Sequence, residues 1–224
     1  MNQTITIVTA TSSNHYRSLL QFLRSAVPTG HRVIVYDIGL TDAERAGLPS
    51  SVVCRPFDFS KYPDFVRLTS PDAGAYVWKP CIVYDVCQEL GGIVIWCDSG
   101  NLLSDVASLV HSTTACGVYS SITSGSFQTW THPTAIANLP NSHRFLDNPM
   151  RNAACIGIDW SNSSAQMLIH DWKTLALRQD ISLPPGANRS THRHDQSILT
   201  YLIYVYQLPR IDEKTGYTIH NDID

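Results

Sequence analysis

The chain predicts an α/β domain with a mainly parallel central sheet flanked by helices, and three observations lead there. Short apolar runs alternate with stretches of helical periodicity through the first half, at spacings that suit strand–helix–strand units. The most apolar run, Ile93-Val94-Ile95-Trp96, lacks the alternation of a half-exposed strand and reads as a strand buried on both faces. It starts after Gly91-Gly92 and stops at Asp98-Ser99-Gly100-Asn101, a set of turn formers. An acid at the carboxyl end of a buried parallel strand is where open α/β sheets place ligand chemistry. Asp98 is equally suited to cap a helical segment over residues 102–110.

In chain order, residues 4–9 read as the first strand, with Ile5, Ile7 and Val8 apolar and a polar turn following Thr9. A helix follows, with Leu19, Leu20, Phe22 and Leu23 at helical spacing, and ends near Pro28-Thr29-Gly30. Residues 32–38 form a second strand closed by Asp37, Thr41 and Glu44 make a capping box, and residues 51–57 form a third strand. Residues 58–75 are looser. Tyr76-Val77-Trp78-Lys79-Pro80 leads into a helix over 81–90 with Pro80 at its first turn. Beyond the central strand, residues 115–121 predict another strand, and 124–148 a polar, proline-punctuated loop of the kind that binds ligands. Residues 153–158 read as a strand and 163–177 as a helix with Met167, Leu168, Ile169 and Trp172 on its apolar side. Pro184-Pro185-Gly186 breaks the chain before a strongly apolar helix over 195–206 and a tail over 208–224. No repeat or linker divides residues 1–224, so one domain is expected.

Hydrophobic residues make up 43% of the chain and charged ones 16%, a balance for a folded globular protein. The net charge of −3 gives no field to recruit nucleic acid or an anionic membrane. No apolar run approaches the roughly 20 residues of a membrane span. The N-terminus shows no basic-then-apolar leader, so a cytoplasmic location is expected. The six cysteines are scattered without a Cys-x-x-Cys pair, which favours buried free thiols in a reducing compartment.

Chemistry concentrates in four places: Asp37 and Asp98 at strand ends, the segment His192-Arg193-His194-Asp195-Gln196 before the last helix, and His220-Asn221-Asp222 near the end. Asp195 is also well placed as a helix N-cap. No nucleophile elbow, Walker loop, Gly-x-Gly-x-x-Gly or His-Glu-x-x-His is present. Acids at a carboxyl edge beside a basic, histidine-rich segment suit a divalent metal holding a diphosphate.

The runs Val35-Tyr36-Asp37-Ile38-Gly39-Leu40, Trp78-Lys79-Pro80, Asp98-Ser99-Gly100 and His192-Arg193-His194-Asp195-Gln196-Ser197 fall in order across nearly the whole chain. In these the chain resembles the GT-A-fold nucleotide-sugar glycosyltransferases. The resemblance implies a Rossmann-like half, about residues 1–110, that binds a nucleoside diphosphate sugar, most often UDP-linked. A second half, about 111–224, would bind a glycan acceptor, making the chain a hexosyl- or pentosyltransferase. It also implies Mn²⁺ or Mg²⁺ on the diphosphate, with Asp98 matching the first acid of the family's Asp-x-Asp element. Gly100 stands where the second acid would be, leaving Ser99, Asn101, His220 or Asp222 as substitutes; Asp98 and His220 are the metal assignment. Thr9, Thr11 and Asp37 would meet the nucleoside, with Asp98 on the diphosphate and Lys79 and Arg193 neutralising it. Asp195 would contact the donor sugar or deprotonate the acceptor hydroxyl, with Asp159 as the rival base. Trp130, His132 and Trp160 offer faces for sugar stacking. A non-catalytic carbohydrate- or nucleotide-binding module also fits, given Gly100. A sugar-phosphate nucleotidyltransferase fits less well, because residues 9–14 contain neither Gly nor Lys. The whole reading requires the Asp98 carboxylate to face an open crevice shared with residues 192–196.

Overall fold

The computed structural model describes residues 3–219 and 222–224. Its strands are β1 (Ile5–Ser12), β2 (Arg32–Gly39), β3 (Val52–Pro56), β4 (Ile93–Cys97), β5 (Leu102–Leu103), β6 (Val118–Tyr119), β7 (Ile122–Ser126), β8 (Pro149–Arg151), β9 (Cys155–Asp159) and β10 (Tyr217–Thr218). The main sheet runs β3-β2-β1-β4-β9-β6. β1 pairs in parallel with β2 and β4, and β2 with β3. Only β9 runs the other way, antiparallel to both β4 and β6. The chain leaves β1 towards β2 and β3 on one side and returns to β4 on the other. The carboxyl ends of β1 and β4 therefore flank a topological switch point, where such sheets open a crevice.

The two-residue period of a strand divides β4 between two cores. Ile93, Ile95 and Cys97 pack with Leu19 and Phe22 of the helix Tyr16–Ala26 and Leu109 of the helix Val106–Cys116. Val94 and Trp96 face the other side, with Ile82 of Trp78–Leu90, Trp172 of Ser163–Ala176 and Ile198 of Asp195–Tyr206. Every residue of β4 is buried, as the unalternating apolar run predicts. Burying each large apolar side chain here contributes about 1.5–3 kcal/mol.

Some elements differ from the sequence reading. Residues 102–103 pair with β10 of the tail instead of starting a helix. That helix begins at Val106, capped by the Asp105 carboxylate accepting from Ser108 N, so Asp98 caps nothing there. The same helix extends to Cys116 and ends at Gly117 (φ +76°), which shortens the next strand to β6. The expected loop over 124–148 contains the end of β7 and the helix Pro133–Asn138, started by Pro133 with His132 accepting from Thr134 N. The helix over the Trp-Lys-Pro motif starts at Trp78, since a proline in the first turn forfeits no helical hydrogen bond. All six cysteines are free thiols. Among the described residues no helix is long and apolar enough to cross a membrane.

Candidate functional site

A cavity of about 440 Å³ opens at the switch point, walled by the end of β1 (Ala10, Thr11, Ser12) and the turn after β4, with Lys79 and Asp195 among its lining. Asp98, with 38% of its side chain exposed, faces this space. Lys79 lies in the first turn of its helix, buried rather than solvated. Its ammonium sits 3.1 Å from Asp98 Oδ1, 3.2 Å from Asp195 Oδ2 and 3.2 Å from the Ala153 carbonyl. Trp96 faces the same side of the sheet, and its indole N–H donates to Asp98 Oδ1 at 2.7 Å. Burial alone would lower the Lys79 pKa; the Asp195 and Asp98 charges override that and hold it above the ordinary lysine value. Burial pushes the Asp195 carboxyl up, with the Asp98 charge adding to the rise and Lys79 opposing it. Asp195 is the first residue of its helix and His194 occupies the N-cap, so the Asp195 carboxylate turns to Lys79 instead of capping.

Two strained stretches hold this arrangement. His194 has φ +46°, and its buried ring places Nδ1 2.9 Å from the Ser182 carbonyl and Nε2 2.9 Å from Asp72 Oδ2. Asp72 belongs to a left-handed turn in which residues 72–76 all have φ between +48° and +68°. Left-handed helical conformation costs roughly 1–2 kcal/mol per non-glycine residue. Gly74 is required at its centre, because a Cβ would overlap the Val66 carbonyl. The turn carries Ala73 and Tyr76 to the cavity wall. Arg193 also lines the cavity, its guanidinium stacked 4.2 Å from the Trp130 ring centroid, while Arg189 lies 5.7 Å from that of Tyr76. His192 and His194 are both buried. His192 is fully buried; burial holds its pKa near 3, and it is spent on the Ile181 carbonyl and the His132 amide.

The tail reaches the same cavity. Asp222 lines it, and a Cβ at Gly100 would overlap the Asp222 carboxylate. Among the described residues one group of metal-ligating side chains has its ligand atoms mutually within 4.8 Å: His15, Asp222 and Asp224. His220, assigned to the metal from sequence, lies outside the described residues.

Of the remaining sequence-derived candidates, Thr11 reaches the cavity wall and three others do not. Thr9 is fully buried inside β1, one residue short of the cavity. Asp37 is spent on its own turn: Oδ1 accepts from Gly39 N and Leu40 N, and Oδ2 pairs with Arg45. Burial raises the Asp37 pKa, but those two amides and the guanidinium outweigh it and hold the carboxyl below the usual range. Asp159 is carried to the opposite edge of the sheet, because β9 runs antiparallel and pairs Asp159 with Ile93 while Cys97 pairs with Cys155. There its Oδ1 accepts from Ser161 and Gln3. Trp160 follows it to that edge, its N–H bonded to the Gly92 carbonyl. A separate depression of about 690 Å³ lies there, lined by Gln3, His31 and Arg32, with no acid in its lining.

Sequence reading missed Asp72, Tyr76, Arg189 and His15. The left-handed turn has one glycine among five residues, too weak a signal for its backbone, and the contact of Asp72 with His194 spans 122 positions. Arg189 carries a detectable signal, being four residues before Arg193 in the basic segment.

A family model described as "Protein of unknown function (DUF1647)" matches residues 1–84. Comparison with curated proteins gives no match. Solved structures do resemble the chain. The galactosyltransferase LgtC in complex with donor and acceptor sugar analogues is 16% identical over 88% of this chain and 70% of that one, with a TM-score of 0.51. Mouse xyloside xylosyltransferase 1, in its apo form, is 10% identical over 95% of this chain and 85% of that one, with a TM-score of 0.50. The glycosyltransferase GlyE of Streptococcus pneumoniae TIGR4 is 11% identical over 95% of this chain and 46% of that one, with a TM-score of 0.51. The fold is the GT-A fold. At these identities the likeness speaks for fold alone.

Proposed function

We propose that the cavity transfers a monosaccharide from a nucleoside diphosphate sugar, a UDP-sugar in the first instance, to an acceptor hydroxyl of a glycan. The observation that carries this reading is Lys79 held between Asp98 and Asp195 at the β1/β4 switch point. In this reading residues up to about 110 bind the nucleoside end of the donor and the remainder the acceptor, with Arg189, Arg193 and Asp195 returning to the shared cavity. Arg193 and Arg189 supply fixed cations for a diphosphate, their planes pinned against aromatic rings. Lys79 holds the Asp98 and Asp195 carboxylates in place. A carboxyl raised by burial, as in Asp195, suits a general base for the acceptor hydroxyl or a partner for a sugar hydroxyl. Asp159 is set aside as the base, since it faces the other edge of the sheet. The GT-A resemblance brings with it Mn²⁺ or Mg²⁺, and the hard oxygen donors on this wall, Asp98 first, fit such an ion. When bound, it supplies positive charge where the departing diphosphate gathers negative charge.

The test is binding and turnover. UDP with Mn²⁺ raises the melting temperature, and a screen of UDP-sugars releases UDP. Asp98→Asn abolishes that release with the fold intact, Asp195→Asn lowers kcat by about 10²-fold or more, and Asp159→Asn leaves it unchanged. Absence of any thermal shift with any nucleotide overturns the proposal. Binding without turnover converts it to a non-catalytic module.

A further inference from the structure

Lys79 and Asp195, the ion pair at the cavity, are each delivered by backbone in a sparsely populated conformation. Lys79 follows the left-handed turn directly: its N–H donates to the Tyr76 carbonyl at 3.0 Å, and the Trp78 indole N–H donates to the Ala73 carbonyl at 3.0 Å. Asp195 follows His194, whose φ of +46° with ψ of −116° is a region that residues with a side chain rarely enter. An aspartate at the start of a helix is a strong capping residue. A relaxed backbone at His194 would let the Asp195 carboxylate turn back onto the unpaired amides of the last helix.

The His194 ring opposes that relaxation by bridging two segments. Nδ1 lies 2.9 Å from the carbonyl of Ser182, the last residue of the short helix Gln179–Ser182. Nε2 lies 2.9 Å from Asp72 Oδ2, in the turn that leads to Lys79. A carbonyl and a carboxylate both accept, so both ring nitrogens donate, and the imidazolium is the form with two N–H groups. The His194 side chain is 1% exposed and that of Asp72 19%. A charge buried so deeply needs an opposite charge against it, and Asp72 supplies one.

Three other titratable groups face the ring. Tyr76, from the same turn as Asp72, has its ring centroid 6.3 Å away, and that of His192, kept neutral by burial, is 5.1 Å away. Asp195, the next residue along the chain, interacts with it through its charge. Asp72 itself is not part of the cavity lining. Its path to the chemistry runs through the His194 ring and the peptide that joins His194 to Asp195.

We propose that Asp72 is a positioning residue: through a His194 imidazolium it fixes the backbone ahead of the last helix, so that the Asp195 carboxylate stays on Lys79 and faces the reacting groups. The proposal rests on the glycosyl transfer set out above for its consequence, while the ion pair itself can be read without turnover.

Two measurements on the full chain test it. Long-range ¹H–¹⁵N spectra at neutral pH, with His194 assigned by its loss in His194→Gln, show protons on both ring nitrogens in wild type and on one in Asp72→Asn. A singly protonated His194 in wild type overturns the proposal. The second measurement is turnover of the UDP-sugar that the donor screen selects. Asp72→Asn lowers kcat by about 10²-fold, the scale of a misplaced catalytic group, with KM for the donor little changed. Asp72→Glu keeps the charge and recovers part of that loss. In the Asp195→Asn background Asp72→Asn adds no further loss, because a residue acting through Asp195 has nothing left to position. Losses that multiply in the double variant overturn the positioning role, as do a raised KM with kcat unchanged or an Asp72→Glu variant no better than Asp72→Asn. Circular dichroism establishes that each variant is folded; should Asp72→Asn fail to fold, the wild-type ring spectrum decides. Absence of turnover with any donor removes the proposed transfer, and the ring spectra then decide the ion pair by themselves.

Discussion

Asp37 and Asp98 close two parallel strands of the same sheet, β2 and β4, and meet opposite fates. Asp37 is wrapped by its own chain: the amides of Gly39 and Leu40 take one oxygen and Arg45, eight residues on, takes the other. Asp98 has no such local claim on it beyond Trp96. Its cation comes from Lys79, which is shared with an acid 97 positions away, and it opens on the cavity. Two acids with the same sequence context, an apolar strand followed by a turn, differ because of what lies across the sheet from each. β2 is flanked by β1 and β3 in one winding direction, while β4 sits where the winding reverses. The acid at the reversal is the one left available for a ligand.

Removing the cation at each place sharpens that contrast most. Lys79→Met leaves Asp98 and Asp195 facing one another without their shared ammonium, and loss of one partner of a buried pair costs about 3–5 kcal/mol. The lower figure is expected, because Asp98 keeps 38% of its side chain in solvent. Urea unfolding at neutral pH reads it. The variant recovers stability on acidification, since loss of the ammonium removes what opposes the rise of the buried Asp195 carboxyl above its unfolded value. A loss below 1 kcal/mol would mean that Lys79 does not organise the site.

The two regions also carry opposite pH signatures. The folded Asp37 carboxyl lies below its unfolded value, so its contribution is present above about pH 4 and disappears as pH falls through the folded pKa. Asp195 lies above its unfolded value, so its contribution is complete in acid and is lost as pH rises through the folded pKa. Asp37→Asn is therefore less stable than wild type at pH 7, by about 1–2 kcal/mol, and the gap closes below about pH 4. Asp195→Asn is as stable as wild type or more so at pH 7, with the excess shrinking towards acid. Paired urea titrations across pH 3–7 check both. The same sign in both variants would dissolve the distinction between a carboxylate kept for structure and one kept for chemistry.

What the sequence could reveal divides along the same line. β1, β2, β4, the capping box at Thr41 and the last helix follow from local apolar pattern and turn chemistry, all written within a dozen residues. The convergence of Lys79, Asp98 and Asp195 was legible through the order of short motifs along an α/β chain. Asp159 was misplaced because strand direction is not encoded in a strand: the Ile156-Gly157-Ile158 run is equally apolar whether it runs with β4 or against it. The hold of Arg45 on Asp37 depends on how tightly the turn after β2 closes, which the apolar pattern of the strand does not state. The five-residue left-handed turn and the seat of Asp222 at Gly100 are set by tertiary contact, with no periodicity to announce them.

The smallest effect tests the Asp37 side of the comparison. Arg45 leaves 41% of its side chain in solvent, and its pairs with Asp37 and Asp42 are screened accordingly. Exposed pairs of this kind contribute at most about 1 kcal/mol. Arg45→Met leaves Asp37 Oδ1 on the amides of Gly39 and Leu40, so the turn after β2 persists and stability falls by no more than that figure. Nucleotide binding is unchanged, because neither residue lines the cavity. A drop in UDP affinity without a drop in urea midpoint would return Asp37 to the nucleoside contact that its place at a strand end suggested, and the fates of the two acids would no longer differ.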